Sequence, residues 1–470
     1  MKKVLVVFAA LALAGSVAYA NFCARDVVPA ATILFPYVAV STDALGIPDP
    51  NGQTTITDII NTSREAIIVH YTVWDILSTP VIDFDEVLSG YDVHRINWRD
   101  FLNGRFDLFD TSNLPFPSPS PPFTFDPFEF GPDGRGQAGG LTPPQNRNAI
   151  GSALLPNGVP PYGNKSNLAS TIRSLVAGPL AAYGHNGCGN IGNLRGDKTW
   201  FDITSANPIF FYVTVDVVSI GSLFFPTDAG YWDGGVPTNR NQLLGTIVWL
   251  NAAQNYSEAM PAVHVEAADD SDNGGPAVFG FYEEAVAAET FREPLATALA
   301  FNYYNSSTDG VTSNLIFWKN QNEVDPVSGR ISDCGAYVYY AWDMDERSLS
   351  RQTEPISGLP TGGRDPNQLP FETQKVPLNT NYFDLPGEYG WMLVVLPPSY
   401  GAGFVDPTAN PAWLNAQYPF YFGWAAVQLV YGTYSAAIEA ATMANVHCFS
   451  DQTLNVLGNN NGAPPLSIIY

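Results

Sequence analysis

Positive charge is scarce in this sequence: 21 lysines and arginines stand against 45 aspartates and glutamates, a formal net charge of -24 over 470 residues. A surface that acidic repels phosphate backbones and anionic lipid head groups, so nucleic acid is not an expected partner. It attracts cations instead, calcium above all outside the cell. Charged residues make up 14 % of the chain and aromatic residues 13 %, which separates it from a disordered acidic tail. The short signatures of common chemistries are missing as well. The sequence has no GxSxG elbow, HExxH, phosphate loop, SxxK or CxxCH. The histidines number only 5, at 70, 94, 185, 264 and 447. His70 and His264 fall inside strand patterns, where a packed or edge imidazole is expected rather than a catalytic one.

The N-terminus reads MKKVLVVFAALALAGSVAYA. Lys2 and Lys3 form a positive n-region, Val4 to Gly15 an apolar h-region, and Ala18-Tyr19-Ala20 a small-x-small cleavage site. Residues 1–20 therefore read as a secretory signal peptide, too short and wrongly flanked for a membrane span. Cleavage leaves a chain starting at Asn21 and, with Lys2 and Lys3 gone, takes the charge from -24 to -26. Phe22 is too large, and Cys23 too late, for a lipid-anchored first residue. The expectation is a protein secreted to the cell surface, periplasm or medium, with no transmembrane segment after cleavage. The 4 cysteines, Cys23, Cys188, Cys334 and Cys448, form an even set in an oxidising compartment and predict two disulfides. Cys23–Cys188 and Cys334–Cys448 are the favoured pairs. The rival is a metal site using His185 beside Cys188 and His447 beside Cys448, but it lacks the tight two-plus-two spacing of zinc ligands.

Hydrophobic residues recur at every second position. QTTITDIIN (Gln53–Asn61), AIIVHYTVWD (Ala66–Asp75) and later runs such as NLIFWKN, AYVYYAW and GWMLVVLP are β-branched and aromatic, separated by Gly, Pro, Asn and Asp. One segment, SNLASTIRSLVAGPL, reads as a helix, and the Ala-rich AAIEAATMAN is open to helix or strand. Without helical crossovers the pattern predicts an all-β chain of two tandem antiparallel β-sandwich (Ig-like) domains. Irregular strand spacing argues against an outer-membrane barrel. A weak repeat sets the boundary. ATILFPYVAVSTD and ATALAFNYYNSSTDG are each followed by a strand ending in Asn (Asn61, Asn320) and another ending in Trp-Asp (Trp74-Asp75, Trp342-Asp343). This predicts domains over 21–292 and 293–470, the first carrying an insertion over about 103–190. The insertion holds 12 prolines between Leu114 and Gly163, and a row of Phe116, Phe123, Phe125, Phe128 and Phe130 expected to dock in a groove of the same molecule, with a groove of its neighbour as the alternative.

Three polar clusters are candidate sites. In VIDFDEVLSGYDVHRINWRDF, Asp83, Asp85 and Glu86 precede His94, Arg95 and Arg99. Strand alternation places Asp83 and Asp85 on one face and Ile82 and Phe84 on the other. The expectation is the wet face of a hairpin, with Arg95 or Arg99 pairing across the turn; the rival is a carboxylate pair for glycoside hydrolysis. In AWDMDERS, Asp343 and Asp345 are expected on one strand face, with Trp318 as a possible neighbour suited to a sugar. In EAADDSDNGGPAVFG, Asp269, Ser271, Asn273 and Gly274 match positions 1, 3, 5 and 6 of a calcium loop, with Gly280 where a bidentate Glu would stand. Glu283 or Glu284 would complete an irregular calcium cage, calcium being the only cofactor expected.

Several segments resemble a group of uncharacterised secreted bacterial β-rich proteins: LFPYVAVSTD, TTITDIINTSREAIIVHYTVWD, FDEVLSGYDVHRINWRDFLNG, FFPTDAGYW, REPLATALAFNYYN and NLIFWKNQ. The resemblance spans most of the mature chain and implies export and β-architecture; it transfers no catalytic residue. The functional expectation is a secreted or cell-surface non-enzymatic protein in adhesion, surface assembly or ligand binding, its partners being further copies or an extracellular glycan or protein. The alternative is a carbohydrate-binding protein or glycoside hydrolase.

Overall fold

The computed structural model describes residues 28–103, 208–267, 281–282, 292–352, 372–396 and 422–444, with short breaks inside those ranges. The fold is all-β and every strand pair is antiparallel among the described residues. The first strand set comprises β1 (Thr32–Val40), β2 (Gln53–Asn61), β3 (Ile67–Trp74), β4 (Pro80–Leu88), β5 (Val93–Asn97), β6 (Ile209–Val218), β7 (Leu243–Asn251), β8 (Tyr256–Pro261) and β9 (Val263–Val265). Two short helices interrupt it, α1 (Trp98–Leu102) and α2 (Ala229–Asp233). The second set comprises β10 (Ala298–Tyr304), β11 (Val311–Lys319), β12 (Val324–Asp325), β13 (Arg330–Ile331), β14 (Val338–Asp343), β15 (Ser348–Gln352), β16 (Thr373–Pro377), β17 (Tyr389–Val395), β18 (Gly423–Tyr431), β19 (Tyr434–Glu439) and β20 (Ala441–Ala444). The Ala-rich AAIEAATMAN is thus strand, divided between β19 and β20.

The two sets have the same topology. A five-stranded sheet β4-β3-β6-β1-β9 faces a four-stranded sheet β5-β2-β7-β8 in the first. In the second, β15-β14-β17-β10-β20 faces β16-β11-β18-β19. Setting aside the β12-β13 ribbon, each strand of one set has its counterpart in the other at the same place in the chain and in the sheet. The boundary expected near residue 292 falls between β9 and β10. The insertion expected over about 103–190 lies in the β5–β6 connection and, beyond Asn103, outside the described residues, as does the predicted helix.

Alternation explains each core. In the first set Ile33, Phe35, Val69, Tyr71, Val213 and Val215 meet Ile59, Ile96, Ile247 and Trp249 from the facing sheet. In the second, Leu299, Phe301, Met392 and Val394 meet Leu315, Phe317, Ala425 and Val427. The intervening residues of β11 and β18, namely Ile316, Trp318, Trp424 and Ala426, join the first core instead. Their strands are apolar on both faces because both faces are covered. At the seam, Trp318 meets Tyr212 edge-on with centroids 5.7 Å apart and stacks on Phe281 at 5.5 Å. The Thr373 hydroxyl donates to the Pro36 carbonyl at 2.6 Å beside a bulge in β1.

Candidate functional site

The Asp83–Glu86 stretch departs from its expected setting in two ways. β4 and β5 do not form a hairpin: β4 pairs only with β3 in the five-stranded sheet, and β5 pairs with β2 in the other. The Leu88–Val93 link crosses between the sheets, through Tyr91 at φ 60. Asp83, Asp85 and Glu86 are also buried, not wet. The parity holds, since Ile82 and Phe84 do enter the core, but the other face is covered too. Arg95 pairs with Asp58 through two bonds of 2.6 and 2.9 Å, and Arg99 donates to the Pro50 and Gly52 carbonyls. Neither arginine pairs with Asp83 or Asp85 as the hairpin required. Glu86 Oε1 lies 3.7 Å from His94 Nε2. Burial pushes His94 down to about 4, so the ring is neutral and this approach is no ion pair at neutral pH.

What the stretch does build is a polar row across four strands. Asp85, His70, Asp216 and Thr32 stand directly opposite one another on β4, β3, β6 and β1. His70 Nδ1 and Asp85 Oδ1 are 2.9 Å apart and fully enclosed. Burial alone would lower the His70 pKa; the bond and charge of Asp85, with the charges of Asp83 and Asp216, outweigh it and raise it. The Thr32 hydroxyl donates to Asp216 Oδ1, while Tyr231 and Tyr282 donate to Oδ2 at 2.9 and 3.2 Å. Burial first, and Asp216 second, raise both tyrosines well above the ordinary range, so both remain donors. Arg292 closes the row: its Nε donates to Thr32 at 2.7 Å and lies 4.0 Å from Asp216, and its other nitrogens reach Asn239 and the Thr238 carbonyl. Its guanidinium also sits over Trp232 of α2, 5.6 Å from the centroid. Asp216, Tyr231, Tyr282 and Arg292 are widely separated in sequence and form no spaced motif, so pattern reading misses them.

The AWDMDERS cluster is a turn. β14 ends at Asp343, and Asp345 lies beyond it, exposed, so the two do not share a strand face. Asp343 Oδ1 accepts from the Asp345 and Arg347 amides at 2.9 Å, and Oδ2 accepts from Arg347 Nε at 2.5 Å. Desolvation opposes ionisation, but the amides and guanidinium hold the Asp343 carboxyl below its usual range. Trp318 belongs to the seam with Tyr212; the indole next to Asp343 in the chain is Trp342, which alternation turns to the opposite face and which stacks on Trp391 with centroids 3.9 Å apart. Tyr340 stacks on Trp342, and one row along Tyr304 meets Tyr389 at 5.8 Å. In the first set, Trp74 stacks on Tyr212 across the corresponding strand pair, and Tyr282 stacks on Trp74 in turn.

A further polar group lies at the seam. Gln428 of β18 donates to the Tyr256 hydroxyl at 2.5 Å and to Glu258 at 3.3 Å, and Tyr256 donates to Glu258. Burial lowers Lys375 of β16 to about 8, against the pull of Glu258.

Asp269, Ser271, Asn273, Glu283 and Glu284 lie outside the described residues, as do Cys23, Cys188, Cys334 and Cys448. Among the described residues, no group of three or more His, Cys, Asp or Glu side chains is placed to hold a metal ion, and no helix is long and apolar enough to cross a membrane. No protein family, curated protein or solved structure matches the chain.

Proposed function

We propose that this is a secreted or cell-surface protein that carries out no chemistry and works through its sheet surfaces, in adhesion, surface assembly or ligand binding. The observation that carries the reading is the employment of the carboxylates. Asp85 is bonded to His70 in an enclosed row, and Asp343 ties its own turn together. A glycosidase pair needs two carboxyls facing one accessible bond, with their pKa values set apart. The signal-like N-terminus, the proposed disulfides and the acidic composition suit an extracellular setting. In that setting the protein is two sandwiches divided near residue 292, and the Asp269 loop is its proposed calcium site.

Carbohydrate recognition is the second reading, favoured by the Trp342–Trp391 stack and the half-exposed Tyr340 beside it. The two are separated by assaying polysaccharide hydrolysis and glycan-array binding, for the native protein and for Asp83→Asn, Asp85→Asn, Asp343→Asn and Asp345→Asn. No turnover by the native protein is the expected result. Turnover abolished by one of these changes in a folded variant would overturn the reading.

A further inference from the structure

The seam between the strand sets joins two unlike surfaces. The second set contributes the outward face of its four-stranded sheet, through Ile316, Trp318, Trp424 and Gln428. The first set contributes a different surface, made by Tyr212, Pro36 at the β1 bulge, and Tyr256 and Glu258 on β8. A contact between unlike surfaces of like units does not close on itself. It leaves one surface of each kind unused at the two ends of the pair.

Among the described residues, the first of these surfaces is apolar around the Asp58–Arg95 ion pair, and the second is aromatic around Asn302. The four-stranded sheet of the first set turns Ile56, Ile60, Leu244, Val248 and Leu250 outward, all half-buried, and Val93 beside Ile60 is 53 % exposed. These positions occupy the face whose counterpart in the second set, Ile316, Trp318, Trp424 and Ala426, is buried in the seam. At the other end, Trp391 stands opposite Trp342 as Tyr212 stands opposite Trp74. Around it Asn302 is exposed, Tyr304 is half-buried and Tyr389 is 48 % exposed.

We propose that a second copy of this chain covers these surfaces: the outward face of β5-β2-β7-β8 of one molecule docks on the Trp391–Tyr389–Tyr304 surface of the next, repeating between molecules the contact that joins the strand sets within one. The inference rests on the assembly form of the function proposed above and specifies its geometry, head to tail. An unlike-surface contact propagates into a filament or a ring, whereas a two-fold contact stops at a dimer. The net charge of -24 opposes the approach of copies, so assembly strengthens as salt screens it.

Two blocked variants decide the matter. Ile60→Glu with Val93→Glu spoils the first surface, and Asn302→Arg with Tyr389→Glu spoils the second; circular dichroism and thermal unfolding confirm that each folds. By sedimentation velocity in about 0.5 M salt, the native protein is expected to gain about twofold or more in weight-average mass between about 1 and 100 µM. Each variant alone stays monomeric. Their equimolar mixture forms dimers and goes no further, because each partner keeps one competent surface. A native protein monomeric throughout, a mixture that stays monomeric, or a variant that dimerises alone would overturn the proposal. A monomer that still binds glycan or matrix protein, without turnover, would leave the adhesion reading standing while removing this geometry.

Discussion

Phe317 and Trp318 are neighbours in the chain and belong to different cores. Phe317 packs between the two sheets of the second strand set, and Trp318 crosses the seam to Tyr212 and Phe281. One strand thereby links two sheet pairs, and the apolar run LIFW needs no further explanation.

The His70–Asp85 bond is a structural element with a pH signature. Asp85→Asn is expected to cost about 3 kcal/mol in urea denaturation, because it removes one partner from an enclosed pair. The folded His70 pKa is raised, so its contribution is complete below the ordinary value of 6.5 and is lost as pH rises through the folded value. The loss in Asp85→Asn should accordingly be larger at pH 5 than at pH 8; equal losses would contradict the pairing.

Arg292 binds the segment after β9 to the outer face of the first five-stranded sheet. Arg292→Met removes the donors to Thr32, Asn239 and Thr238 and leaves Asp216 without its nearby cation. A destabilisation of about 3 kcal/mol or more is expected. Arg292→Lys should recover little of it, since an ammonium lacks the fork that reaches three partners. Full recovery by lysine would show that charge alone matters.

Glu293 has the opposite sign. Burial first, then the charge of Glu266, raise its carboxyl to about 7 from an ordinary 4.5. The folded state therefore holds a proton that the unfolded state has released between those values. Its cost is absent below pH 4.5, grows as pH rises and is complete above about 7. Glu293→Gln is expected to stabilise the protein by about 1 kcal/mol at pH 7.5, the figure kept small for partial solvent screening, and by nothing at pH 4. Thermal unfolding of the two proteins side by side checks this, since the effects of His94 and His264 cancel in the difference.

Strand positions and facing were open to reading because alternation is a local property. QTTITDIIN and IIVHYTVW form β2 and β3, and Ile82 and Phe84 face the core as alternation dictates. The environment of the opposite face was not local. Asp83 and Asp85 are buried on a face whose central residue, Asp216, meets Tyr231, Tyr282 and Arg292, all of them more than a hundred residues beyond Asp85 in the chain. The hairpin failed for a related reason: LSG reads as a tight turn, but the chain there passes from one sheet to the other. Trp318 lies away from Asp343 and Asp345 because which sheet face meets which is decided by packing between the strand sets, not by alternation along one strand.

Hydrogen exchange of the native protein and Trp318→Ala tests the shared core most directly. Loss of the indole is expected to raise exchange in β11 and β18 and, across the seam, in β1 and β6 around Pro36 and Tyr212. Faster exchange confined to β11 and β18, with β1 and β6 as protected as in the native protein, would contradict a core common to both strand sets.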